Sequence, residues 1–209
     1  GCWALTANTT AAFNTAVGFK AMFANTTGQG VAVGYNALLA NTIGANLVAI
    51  GYRALEANTS ANDNIAVGSL ALNANTTGAG NVAVGSSALG SCVSASSNTA
   101  VGQSALFHNT GAGNTALGAN ALLANTTGVQ SVAVGRDALV AATTAVWNTA
   151  VGAAALSALT TGLSNTAVGT DAGSAPNGVS ANATVVGNSN VFVGQQTGPA
   201  DTTDPSNTV

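Results

Sequence analysis

The stretch VAVGYNALLANT, Val31 to Thr42, decides how the rest of the chain is read. Its first three residues alternate as a strand does, so Val31 and Val33 share one face and Ala32 takes the other. With the valines turned to a core, Ala32 would face water, where a polar side chain is the usual choice. Yet the triplet recurs down the chain and its middle residue does not change.

Taking the glycine that closes each triplet as a marker, the markers are Gly1, Gly18, Gly34, Gly51, Gly68, Gly85, Gly102, Gly118, Gly135, Gly152 and Gly169. The step is 17 residues, shortened to 16 in two units, and fixed self-similarity of this kind signals a repeat architecture. The idealised unit is N-T-A-V-G-x-x-A-L-x-A-N-T-T-G-x-x. The triplet reads as a strand. The following Ala-Leu segment, such as Ala37 to Ala40, is too short for a stable helix and is expected to be a second strand. Short strands with Gly and Asn corners and no helix predict an all-β chain, a parallel β-solenoid or β-roll of about ten 17-residue coils. The array is expected over 1–173, with an irregular transition segment carrying short β coils over 174–209.

In such a fold, columns replace positions. The residue before each marker (Val17, Val33, Ile50 and so on) and the residue four after it (Leu38, Leu55, Leu72 and so on) are expected to fill the interior. Asn8, Asn25, Asn41, Asn58, Asn75, Asn109 and Asn125 are expected to stack as a ladder. The middle column is Ala16, Ala32, Ala49, Ala66, Ala83, Ala100, Ala116, Ala133, Ala150 and Ala167. Charge collects elsewhere, at Lys20, Arg53, Arg136, Asp137 and Asp171, just past the markers. A uniformly small outward face lets another backbone approach, so the alanine column is expected to be a chain interface in a homo-oligomer. In the tail, Val185 and Phe192 replace the alanine, which implies that the chains part there or that another element packs on.

Composition sets further bounds. Only 4% of the 209 residues are charged, the net charge is −3, and no basic surface exists for nucleic acid. Asn, Thr and Gly break every apolar run before it reaches membrane-spanning length. Cys2 and Cys92 lie five coils apart, roughly 24 Å at strand spacing, beyond disulfide reach within one chain, so two unpaired thiols are expected, with bonds between chains as the alternative. His108 has no second histidine or carboxylate at a fixed offset. No paired carboxylates, catalytic triad, metal set or complete phosphate loop appears, so neither catalysis nor a cofactor is expected. Asp201 to Asp204 reads as a solvated turn rather than a calcium loop.

Phe19, Tyr35 and Tyr52 share one corner column and are candidate contacts for a host-surface glycan or, equally, cover for a chain interface. Asn-Thr-Thr at Asn8, Asn25, Asn75 and Asn125 matches a glycosylation acceptor, although the repeat itself accounts for it. The threonine columns raise an ice-binding face, but their threonines are adjacent and point apart.

Units such as NTAVGFKAMFANTTG and NVAVGSSALG resemble the head repeats of trimeric autotransporter adhesins. They are more similar still to the NTAVG…AL…NTTG arrays of phage tail-fibre and related surface-fibre proteins. The resemblance covers Gly1 to about Gly173, with a unit longer than the adhesin one by an Ala-Asn-Thr-Thr-Gly corner. It implies a left-handed parallel β-roll in a homotrimer. It also implies a shaft or head segment of an extracellular, cell-surface or virion fibre that meets a host receptor. A free-standing glycan- or ice-binding solenoid is the alternative. Because a repeat unit is interrupted at both Gly1 and Val209, the sequence is expected to continue beyond both.

Overall fold

A computed structural model describes residues 1–174 and 188–197. They form an all-β parallel β-solenoid of about nine turns with 17 residues per turn and, among the described residues, no helix. The chain divides into two units, residues 1–104 and 105–209. The first holds β1 (Thr15–Val17), β2 (Gly30–Val33), β3 (Leu47–Ile50), β4 (Ile65–Val67), β5 (Val82–Val84) and β6 (Thr99–Val101). The second holds β7 (Thr115–Leu117), β8 (Val132–Val134), β9 (Thr149–Val151), β10 (Thr166–Val168) and β11 (Val191–Val193). Within each unit successive strands pair in parallel and in strict register, so that Ala16 meets Ala32, Ala32 meets Ala49 and Ala49 meets Ala66.

The alanine column faces the core, not a second chain. Ala32, Ala49, Ala66, Ala83, Ala100, Ala116, Ala133, Ala150 and Ala167 have no exposed surface within the single chain, and Ala16 occupies the same rank at the half-covered first strand. A side chain already enclosed by its own coil cannot contact a partner, so the expected alanine interface is corrected. The residues before the markers point outward instead, and Val17, Ile50, Leu117 and Val168 are 39–56% exposed. The leucine column is inside as expected, from Met22 and Leu38 to Leu156.

A change near the end of the array explains why the inward strand residue is small. At Gly173, in the leucine column, an added Cβ would lie 2.8 Å from Phe192 Cδ2 and 2.6 Å from Leu156 Cδ2. Phe192 stands in the alanine rank, paired with Ala167 and fully buried. The two ranks therefore face each other across the core. A leucine opposite an alanine and a glycine opposite a phenylalanine fill comparable space. Phe192 fills this core, and the expectation that its bulk parts the chains does not hold. Val185 lies outside the described residues.

The Ala-Leu segment is not a second strand. Residues 35–40 form a turn, as do their equivalents. The leucine column, Leu5 and Met22 through Leu156, has φ of 48–52°, and the residue two before it is also left-handed. This conformation costs roughly 1–2 kcal/mol per non-glycine residue. The cost is offset because backbone groups here still bond between coils. Leu38 N donates to Ala54 O at 3.0 Å, Leu55 N to Ala71 O at 3.0 Å, and Arg53 N to Tyr35 O at 2.8 Å. At the marker corner only glycine fits. Gly51 has φ 139°, and a Cβ there would lie 2.4 Å from Gly68 O.

Inward alanines and outward valines have opposite tolerances. Ala83→Val overfills the core and is expected to lower unfolding stability by about 1–3 kcal/mol. Val84→Ala, on the half-covered outer face, is expected to cost clearly less in the same denaturant titration. Equal losses would contradict the assigned strand facing.

Candidate interaction face

Turning the alanines inward leaves two outward ranks on the sheet. The first runs Thr15, Val31, Val48, Ile65, Val82 and Thr99 in one unit and Thr115, Val132, Thr149, Thr166 and Val191 in the other. The second runs Val17, Val33, Ile50, Val67, Val84 and Val101, then Leu117, Val134, Val151, Val168 and Val193. Neither rank contains a charged residue. β-branched side chains suit the pleated surface, and packing holds them in few rotamers. The result in each unit is a stiff apolar face of half-covered side chains.

Beside it, one residue past the marker glycine, lies the aromatic column. Phe19 and Tyr35 stack at 5.4 Å with ring planes 13° apart, and Tyr35 and Tyr52 stack at 5.5 Å and 14°. Lys20 Nζ lies 5.4 Å from the Phe19 ring and the Arg53 guanidinium 6.0 Å from the Tyr52 ring, so a cation flanks each end of the stack. The same lysine lies within 5.8 Å of Trp3 and Phe23, which stack on each other at 6.1 Å. Both faces of Tyr35 are taken by neighbouring rings. A sugar that stacks on a ring face would find only edges and hydroxyls there.

Arg53 also pairs with Glu56. Glu56 Oε1 accepts from Asn36 Nδ2 at 3.0 Å, and Oε2 accepts from Asn73 Nδ2 at 3.1 Å. Burial pushes the Glu56 carboxyl up, but the hydrogen bonds from Asn36, Arg53 and Asn73 together hold it below its ordinary value. This clamp ties three successive coils beside the aromatic stack.

The expected asparagine ladder forms. Asn41 Nδ2 donates to Asn25 Oδ1 at 3.0 Å and Asn58 Nδ2 to Asn41 Oδ1 at 2.9 Å, while the same amides reach Gly44 O at 3.1 Å and Ala61 O at 3.2 Å. A second ladder was not anticipated. Asn64, Asn81, Asn98, Asn114, Asn148, Asn165 and Asn190, each just before a strand, are also buried. Asn81 N donates to Asn64 Oδ1 at 2.9 Å, and Asn64 Nδ2 reaches Gly78 O at 2.8 Å. Gly78 O also accepts from Asn75 Nδ2 at 2.9 Å, so the two ladders converge on one corner carbonyl. The sequence signal was the Asn that opens the NTAV motif.

These ladders bear on the other sequence candidates. Asn25, Asn75 and Asn125 are fully buried, which closes them to glycosylation in the folded chain, and Asn8 is half-buried. Hydroxyls of the first threonine column are mostly engaged: Thr42 Oγ1 donates to Thr59 O at 2.9 Å and Thr126 Oγ1 to Thr143 O at 3.0 Å, while Thr160 Oγ1 is buried without a partner. His108 is exposed and meets Phe107 edge-on at 4.7 Å. Both cysteines are free, Cys2 exposed and Cys92 buried. Cys92 takes a ladder position, its thiol 3.8 Å from Ala95 O, and burial pushes its pKa up. Among the described residues no cluster of three or more His, Cys, Asp or Glu could hold a metal, and no helix is long and apolar enough to cross a membrane. Asp201 to Asp204 lie outside the described residues.

No protein-family model, curated protein or solved structure matches this chain.

Two outcomes follow from the ladder. Asn58→Ala strips Asn41 Oδ1 and Ala61 O of a buried donor, at about 1–3 kcal/mol per orphaned group. Asn125 already has a buried Oδ1 without a partner, because Ala142 occupies the next rung. Asn125→Ala is therefore expected to shift the unfolding midpoint less than Asn58→Ala. For Cys92, the raised thiol pKa means the unfolded chain loses its proton first. The thiol's contribution is intact below the unfolded value of ~8.5 and lost as pH rises through the folded one. Between pH 7.5 and 9.5 wild-type stability should fall more than that of Cys92→Ser, and a thiol reagent should label only Cys2 until the chain unfolds.

Proposed function

We propose that this chain is a non-catalytic structural segment of a surface fibre that works as a homotrimer, with the outward ranks of the sheet as its self-association face. The observation that carries this reading is the uncharged, stiff and half-exposed Val/Ile/Thr surface. At ~4.8 Å per rung, six rungs in the first unit make a face of roughly 300 Å², and five in the second make a separate face of about 250 Å². A stable interface takes ~800 Å² per partner, and the flanking aromatic column extends the area toward that figure. Faces of about this size are comparable to the largest apolar patch on a typical monomer, which is often functional. A second copy has the same rung spacing, so ridges and grooves repeat in step along the contact.

The resemblance of the NTAVG units to phage tail-fibre and adhesin repeats supports the trimer and an extracellular, cell-surface or virion setting. A shaft needs length and stiffness rather than a reaction, and two asparagine ladders with parallel pairing supply stiffness in each unit. The host-surface receptor such a fibre would meet belongs to a tip rather than to these repeated faces.

Light scattering tests the reading directly. The purified chain should give three times 19.9 kDa, and a stable folded monomer would overturn the assembly. Ile50→Lys with Leu117→Lys places charge at positions 39% and 46% exposed, which the single coil can tolerate. That variant should lose the trimer; an unchanged trimer would remove the sheet face from the interface.

A further inference from the structure

Both asparagine ladders fail at one corner of the second unit. Every other corner carbonyl from Gly28 O to Gly162 O accepts at least one side-chain amide, and Gly128 O accepts two, from Asn114 at 2.8 Å and Asn125 at 2.9 Å. Ala145 O accepts neither, because the first ladder has Ala142 at that rung and the second has Ser131. The Ser131 hydroxyl is engaged elsewhere, accepting from Asn148 N at 3.2 Å. The same alanine leaves a second oxygen unmet. Asn125 is fully buried and its Oδ1 has no hydrogen-bond partner within the chain, whereas Asn25 and Asn41 Oδ1 each accept from the amide of the next rung. Where Cys92 interrupts the ladder, Asn75 Oδ1 is met by Gly78 N at 3.1 Å. Gly128 N makes no such rescue, and donates to Thr143 O at 3.4 Å.

We propose that this corner is an internal hydration site, in which one buried water plays the part that the ladder amide plays in other coils and donates its two O–H groups to Asn125 Oδ1 and Ala145 O. An intact rung shows where such a donor sits. A Cβ added at Gly28 would lie 2.4 Å from Gly44 O, 2.5 Å from Asn25 Oδ1 and 2.5 Å from Asn41 Nδ2, so the amide nitrogen and the two oxygens it serves surround one point. At Gly128 the corresponding point lies 2.3 Å from both Ala145 O and Asn125 Oδ1, and the next nearest atom is the Ala145 carbonyl carbon at 3.3 Å. Two acceptors that close can share one donor molecule at ordinary hydrogen-bond lengths of about 2.8 Å. A side-chain amide nitrogen carries two donor hydrogens, and so does water. Alanine in place of asparagine gives up a carboxamide group, space on the order of the ~30 Å³ that a water takes in the liquid. Left dry, both oxygens would be desolvated with nothing in exchange, and a buried water is the usual answer to such a pair. The site lies within one chain and does not depend on how chains assemble.

Relaxation dispersion of water oxygen-17 counts long-lived buried waters in solution, and Ala142→Asn provides the comparison, since the introduced amide would occupy the water's position. Wild-type protein should show an amplitude larger by one long-lived water than the folded variant. Equal amplitudes overturn the site. A high-resolution crystal structure of the wild-type chain decides the matter even where the variant fails to fold. It should show one solvent peak within hydrogen-bonding distance of both Asn125 Oδ1 and Ala145 O. No peak there, or a protein donor at either oxygen, overturns the proposal. A peak found only in crystals grown with ammonium salts would assign a cation to the corner and overturn the water as well.

Discussion

Each coil is one leucine and one alanine thick, and the other features of the chain accommodate that thickness. The inward strand residue stays alanine because the facing rank is leucine, and bulk returns to the strand only where the leucine is lost, at Phe192 opposite Gly173. So thin a core supplies little apolar burial per residue. It also forces the chain to double back tightly, which is why leucine, or methionine at Met22, accepts a left-handed backbone in each turn from Leu5 to Leu156. A branched residue there would be worse, since β-branching disfavours positive φ most.

With so little apolar burial, the polar corners carry much of the order. Side-chain amides placed once per coil donate to the rung before and to a local carbonyl, and this satisfies groups that a thin core cannot hide from one another. The ladder tolerates substitution only by residues that fill the corner without adding an unmet demand. Cys92 offers a weak donor, and Ala142 and Leu159 none. The orphaned Asn125 Oδ1 marks where the pattern gives way from hydrogen bonding to packing.

Much of this was legible in the amino acids. The period, the parallel register, the leucine interior and the first asparagine ladder follow from columns that repeat. The strand facing was not, because in Val-Ala-Val both alternating faces are apolar, and hydrophobic periodicity assigns sides only when one of them is polar. Charge past the markers located one wet corner and said nothing of the strand. The Ala37 to Ala40 segment reads as a strand because nothing in Ala-Leu announces a left-handed leucine, a residue ordinarily found at negative φ. The second ladder was hidden by its position. An Asn directly before a strand looks like ordinary turn chemistry, and only the stacking of coils reveals that it is buried. For the aromatic column, adjacency was legible but the ring geometry was not, and that geometry turns open faces into shared ones.

The strand facing also changes what the surface means. β-Branched residues are wanted in strands, yet the interior has room for only one methyl per rung, so valine, isoleucine and threonine must go outside. An apolar outer face is therefore a physical consequence of the thin core, whatever use is made of it. Charged replacements in these ranks would leave the coil intact, since the positions are half-exposed, and lysine or glutamate there would make a more soluble single chain. Across both units the two ranks contain none. Folding of one chain explains the inward alanines completely, and with only 4% of all residues charged the absence of charge from these ranks follows from the composition of the repeat itself.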